Sequence, residues 1–215
     1  MVASGSITID VEAIRELVAP GSHSTQFRQW PWSAPTSDTT LARALSEYDQ
    51  LPSEVVELFS ITESFTAGYF QLELPLQDVL DYAATLTELA FDMVGEPPTG
   101  NLFWLSENDP PRSAVEVGGS CHGRLLSADP QIGWRTIAWS LSDAIACTRE
   151  LYEADWYQWD RNPCYNTQDR KVVRARQEKM YPVLKPIIDR WNCSPYIAQF
   201  DDSFYHEPDR PRTRR

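Results

Sequence analysis

Residues 101–140, NLFWLSENDPPRSAVEVGGSCHGRLLSADPQIGWRTIAWS, decide the fold class. NLFWLSE, SAVEVGG and GWRTIAWS are short, rich in β-branched and aromatic residues, and bounded by Gly, Pro and Asp, as β-strands are. Asp109-Pro110-Pro111 is the loop between the first two. CHGRLLSA is a further candidate strand, and GWRTIAWS, residues 133–140, closes the sheet.

Downstream, Ser140 or Ser142 caps a helix over residues 142–155, SDAIACTRELYEAD, with Ile145, Leu151 and Tyr152 on its apolar stripe. Upstream, Pro75 opens a helix over 76–92, and the turn-rich Gly95 to Gly100 breaks it. A strand is expected near 68–74. Two short helices precede it, at about 39–49 with Ser37 or Asp38 as cap, and at 53–60 with Ser53 as cap. Residues 7–18 become helical in their second half, with Asp10 as N-cap. Residues 20–38 read as a loop anchored by Trp30 and Trp32. Residues 168–190 are basic and helical, interrupted by Pro182 and Pro186. Strands in succession after helices imply an α+β fold. The expected architecture is a mainly antiparallel sheet with helices packed on it and a C-terminal helical extension. The divisions are an acidic domain over 1–160, a locally basic extension over 161–207 and a disordered tail over 208–215, where the two prolines and four arginines of PDRPRTRR give no apolar side chain to bury.

The charge is uneven. The net charge is -12, yet residues 1–160 hold 7 Lys/Arg against 24 Asp/Glu, and residues 161–215 hold 12 against 7. The acidic part repels nucleic acid and anionic membrane and attracts a cationic partner, or serves solubility alone. No apolar run reaches the roughly 18 residues of a membrane span. MVASGSITID has neither a basic n-region nor an apolar h-region, so no signal peptide is expected.

Cys121, Cys147, Cys164 and Cys193 are widely spaced with no CxxC, so free thiols in the cytoplasm and no metal or cofactor are expected. Cys121-His122 is the most enzyme-like pair. On a strand, however, adjacent side chains point to opposite faces, which separates the thiol from the imidazole. His206 with Asp201, Asp202 and Glu207 is a cation site or a solvated acidic segment. Neither a dinucleotide-binding nor a P-loop glycine pattern occurs. The basic run Arg170 to Arg176 lacks interleaved aromatics. It reads as a helix face paired with the acidic domain rather than as an RNA site.

The most distinctive segment is YEADWYQWD, residues 152–160. Trp156 and Trp159 fall on one face if the helix continues, and Glu153, Asp155 and Asp160 flank them. Aromatic anchors ringed by acids suit a site for a basic protein, and Glu63 completes the candidate partner-binding set. The alternative is a hydrophobic lid beneath the C-terminal extension.

From about Trp32 to Trp159 the chain resembles the SUKH superfamily, which groups bacterial immunity proteins with a yeast cell-wall-synthesis regulator. The resemblance rests on WPWSAPTSDTTLARALSEY before and through the first helix of the domain, LPSEVVELF opening the second, and GYFQLEL running into PLQDVLDY. The end of a strand at Trp139-Ser140 leading into SLSDAIACTREL completes it. It departs from the family at ITESFTAG, where Asn-Gly is common, in its longer 76–92 helix, and in residues 160–215, which lie outside it. The resemblance implies a non-enzymatic immunity protein that blocks a cationic toxin domain by direct contact. A small hydrolase or transferase, or a regulatory scaffold, is the rival expectation.

Overall fold

The computed structural model describes residues 6–18, 34–67, 70–72, 74–97, 101–106, 112–130, 133–154, 170–194 and 208–210. Six helices and two antiparallel sheets are described. The helices are α1 (Ile7–Val18), α2 (Asp38–Glu47), α3 (Ser53–Ile61), α4 (Leu76–Val94), α5 (Leu141–Glu153) and α6 (Arg170–Trp191). A small hairpin pairs β1 (Phe65–Ala67) with β2 (Phe70–Leu72). The main sheet is a meander of β3 (Asn101–Trp104), β4 (Arg112–Val117), β5 (Leu125–Asp129) and β6 (Gly133–Ala138). This is the expected α+β class.

Strand alternation sorts the sheet into two covered faces. Trp104 pairs with Ala114, and Ala114 with Leu126, so all three share one face. That face meets α4, where the Trp104 indole donates to Thr87 Oγ1 at 3.1 Å. Trp134 reaches the end of the same helix and donates to the Gly95 carbonyl at 3.0 Å. Gly95 has φ of 82° and ψ of -171°, a backbone state that side-chain-bearing residues avoid, so glycine is needed to stop α4 there. Phe103 points the other way and meets the rings of Tyr48 and Phe59 edge-on at 5.3 and 5.9 Å. Every residue of β5 is buried, as a central strand covered on both sides requires.

Helix α5 leaves the edge strand β6 and packs against α1, α3 and α6. Polar links reinforce each contact. Arg149 of α5 pairs with the buried Asp10 of α1 at 2.6 Å, and Glu150 accepts from Arg190 of α6 at 2.8 Å.

Several local expectations change. Asp10 does not cap α1, because the helix already begins at Ile7. Its N-terminus is instead served by Glu57 of α3, whose Oε1 accepts from Ser6 Oγ, Thr8 N and Thr8 Oγ1 at 2.6, 3.1 and 3.1 Å. Ser53 is the first residue of α3, whose cap position is Pro52. Ser140, not Ser142, caps α5 by accepting from Asp143 N at 3.0 Å. CHGRLLSA is not one strand, since Gly119–Cys121 forms a 3-10 turn before β5 starts at Leu125. Pro182 and Pro186 do not break α6, although an interior proline costs about 3 kcal/mol. Both prolines face solvent, while Leu184 and Trp191 are buried, so packing against α5 holds the helix together.

The tail expectation changes as well. The sequence predicts disorder over 208–215; within the described residues 208–210, Pro208 is buried and its carbonyl accepts from the Trp139 indole at 3.0 Å, and residues 211–215 lie outside the described residues. A proline ring is apolar surface and its carbonyl is a strong acceptor, which a count of aliphatic side chains overlooks.

Candidate functional site

The aromatic-acidic segment proposed from sequence is only partly described. Asp155, Trp156, Trp159 and Asp160 lie outside the described residues, as do Trp30, Trp32, Cys164 and His206. Glu153 occupies the last turn of α5, exposed, with its carboxylate 3.4 Å from Arg149. Glu63 follows α3, where its N–H donates to the Ala34 carbonyl at 3.0 Å. The two acids therefore stand on separate elements.

Cys121 and His122 each turn to another partner, and not on a strand as the sequence reading expects. Both residues lie at a turn, where His122 Nδ1 accepts the Gly118 N–H at 2.9 Å and Cys121 Sγ lies 3.8 Å from Ser120 Oγ. Cys147 and Cys193 are buried free thiols. The hydrogen bond between them, and then burial, hold the Cys193 thiol well above its ordinary value, so it stays protonated and unreactive. Among the described residues no group of three or more His, Cys, Asp or Glu could hold a metal ion. No helix among them is long and apolar enough to cross a membrane.

The acidic residues divide by role. Glu54 and Glu57, one turn apart on α3, each serve the start of a neighbouring helix. Glu54 accepts from Leu141 N at 3.0 Å and Ser142 Oγ at 2.7 Å at the head of α5, as Glu57 does at the head of α1. Helix N-termini carry partial positive charge and spare N–H donors, so a carboxylate from another element satisfies both. The Ser6 hydrogen bond, followed by those from Thr8, lowers the Glu57 carboxyl below its usual range. Glu116 is buried on the sheet and pairs with Arg124.

Helix α4 differs. Its sequence holds Asp78, Asp81, Glu88 and Asp92 and no Lys or Arg. Asp81, Glu88 and Asp92 are exposed on it, and between them stand Tyr82, Leu89 and Phe91, which are 55%, 43% and 48% exposed. Thr87, Glu88, Phe91 and Asp92 line a shallow groove of about 400 Å³, open to solvent. Neighbouring α2 adds the exposed Leu45 and Glu47. One cation touches the face among the described residues. Arg43 of α2 pairs with Asp81 at 2.8 Å and Glu47 at 2.7 Å, and the Gln77 and Arg43 hydrogen bonds lower the Asp81 carboxyl.

This face was legible in the sequence through a signal that periodicity does not use. Residues 44–111 contain no Lys or Arg and 13 Asp or Glu. The sequence reading instead favoured the tryptophan-rich segment after α5. The chain matches no protein-family model and no curated protein.

Proposed function

We propose that this chain is a non-enzymatic protein-binding module that neutralises a cationic protein by direct contact, and that α4 makes the first contact. The observation that carries this reading is the exposed face of α4, where a stripe of three carboxylates, Asp81, Glu88 and Asp92, is flanked by Tyr82 and Leu89 on one side and Phe91 on the other and α4 itself supplies no cation. Glu88 and Asp92, which pair with no described cation, attract a basic surface over roughly 8–10 Å at physiological ionic strength and raise the association rate, while Asp81 is already engaged by Arg43. Tyr82, Leu89 and Phe91 then supply apolar area that a partner desolvates, which slows dissociation. Steering and anchoring thus reside on one helix.

With the SUKH resemblance of residues 32–159, the partner is a toxin domain and the chain an immunity protein working in the cytoplasm with reduced thiols. Acidic helices resemble a phosphate backbone to a nuclease-like surface, which matches the expectation that nucleic acid itself is not a ligand. In this reading the segment with Asp155, Trp156, Trp159 and Asp160 is a second contact, and Glu153 and Glu63 are the other acids of the partner-binding set.

The test is co-purification with the product of the adjacent gene, followed by association and dissociation rates at two salt concentrations. Capture with a rate that falls steeply with salt supports the reading. Failure to bind, together with substrate turnover abolished by Cys121→Ser or His122→Ala, overturns it in favour of an enzyme.

A further inference from the structure

The end of the main sheet carries a clamp around a short piece of the chain itself. Asn192 follows α6 with φ of 50°, and its side-chain amide grips the backbone of Asp209 through two hydrogen bonds. Its Nδ2 donates to the Asp209 carbonyl at 2.6 Å, and its Oδ1 accepts the Asp209 N–H at 2.8 Å. On one side of that grip, Pro208 is buried and its carbonyl accepts from Trp139 Nε1 at 3.0 Å. On the other, the Arg210 guanidinium donates to the Ser120 carbonyl at 3.0 Å and lies 5.9 Å from the centroid of the Trp139 ring. Arg124, tied to Glu116, also lies over that ring at 5.4 Å.

Three features make this a recognition geometry rather than ordinary packing. The receptor groups come from three elements organised independently of the tail. Trp139 directly follows β6, Asn192 directly follows α6 with its N–H bonded to Asp189 O, and Ser120 lies in the 3-10 turn. A side-chain amide that pairs with both polar groups of one residue's backbone reads an extended chain whatever its side chain, and Asp209 itself is exposed. The flanking positions are read by type. One contributes an apolar ring and no N–H, and the other a planar cation stacked on an indole and bonded to a carbonyl.

We propose that Trp139, Asn192 and Ser120 form a binding site for an extended Pro-Xaa-Arg segment, which Pro208–Arg210 of the same chain occupies in cis. A second polypeptide carrying that segment binds there when the tail is displaced. Because tail and site share one chain, the tail acts at an effective concentration on the order of millimolar and excludes weak competitors. The site is separate from the α4 face and does not depend on the function proposed for it.

The test uses the full chain and a fluorescein-labelled peptide with the sequence of residues 206–211, HEPDRP, which carries no net positive charge and so is not drawn to the acidic surface unspecifically. Fluorescence anisotropy is read for wild type, for Pro208→Gly/Arg210→Ala, and for that variant with Asn192→Gly. Glycine tolerates the positive φ, so Asn192→Gly removes the clamp without straining the backbone. The peptide is expected to saturate the tail variant with a Kd at least tenfold tighter than for wild type. Adding Asn192→Gly, or replacing the peptide's arginine with alanine, weakens it at least tenfold. Equal affinity for wild type and tail variant, absence of saturable binding to the tail variant, or indifference to Asn192→Gly overturns the proposal. If the double variant does not give a cooperative melt, Arg210→Ala alone takes its place, since Arg210 is exposed and its removal loosens the tail by its Ser120 and Trp139 contacts without opening the core.

Discussion

Helices α3 and α4 are both acidic and both free of Lys and Arg, yet their carboxylates have different fates. On α3, Glu54 and Glu57 are turned inward and each accepts hydrogen bonds at the head of a neighbouring helix. On α4, Glu88 and Asp92 face solvent beside exposed Leu89 and Phe91. Net charge does not separate these cases; partners do. A carboxylate at a helix N-terminus is structural, whereas one beside uncovered apolar surface, with no cation on its own helix, is available for binding.

The comparison makes opposite predictions for the two helices. The largest effect falls on α3. Glu54→Ala removes two hydrogen bonds to a carboxylate in a part-buried setting and leaves the head of α5 with Ser140 alone. A loss of about 3 kcal/mol in urea unfolding is expected, at roughly 1.5 kcal/mol or more per charge-assisted bond. A loss within experimental error would mean that α5 does not depend on α3 for its cap.

Glu57→Gln comes next, at about 1 kcal/mol, because the amide oxygen still accepts but the charge at the head of α1 is gone. Its pH dependence has a definite sign. Hydrogen bonding lowers the Glu57 carboxyl, so its stabilisation is present above the ordinary glutamate value and lost as pH falls through the lowered one. Burial raises Asp10 and Asp143 despite the opposing Arg149 and Ser140 contacts. Their contribution is therefore full below the ordinary aspartate value and declines as pH rises through the raised ones. Unfolding of wild type and Glu57→Gln between about pH 3 and 7 should show the mutant difference shrinking toward acid. A difference that grows toward acid contradicts the capping role.

On α4 the expected stability effects are small and the kinetic ones large. Glu88→Lys and Asp92→Lys should leave the urea midpoint close to wild type, as surface substitutions do. Arg43→Ala should act in the opposite direction on binding. It removes the described cation that touches the face, so the partner's association rate should rise about twofold while the fold is kept. A slower rate would mean that Arg43 contacts the partner.

Much of this architecture was legible in the sequence, and the misses share a cause. Helices α2 to α5 and strands β3, β4 and β6 follow from apolar period and Gly/Pro punctuation, because each buries its own face. Ser37 and Ser140 were legible as caps because a cap acts on its own helix. Glu57 was not, since it lies about fifty residues from the helix it serves, and Asp10 was misassigned as a result. Pro182 and Pro186 misled for a similar reason, because the packing that carries α6 through them comes from α5. The site was the least legible part. The tryptophans point to residues 152–160, of which residues 155–160 lie outside the described residues, and the proposed α4 face announces itself only by the absence of cations over a long stretch and by apolar residues such as Phe91 that a one-sided helix pattern leaves outside the core.

The most direct test of the account is the association rate of the adjacent gene's product, measured at about 50 and 300 mM salt, with wild type and with Asp81→Lys/Glu88→Lys/Asp92→Lys. The account predicts that the triple variant melts cooperatively like wild type, associates at least tenfold more slowly at low salt, and loses most of the salt dependence. A folded triple variant that associates at the wild-type rate with the wild-type salt dependence contradicts it.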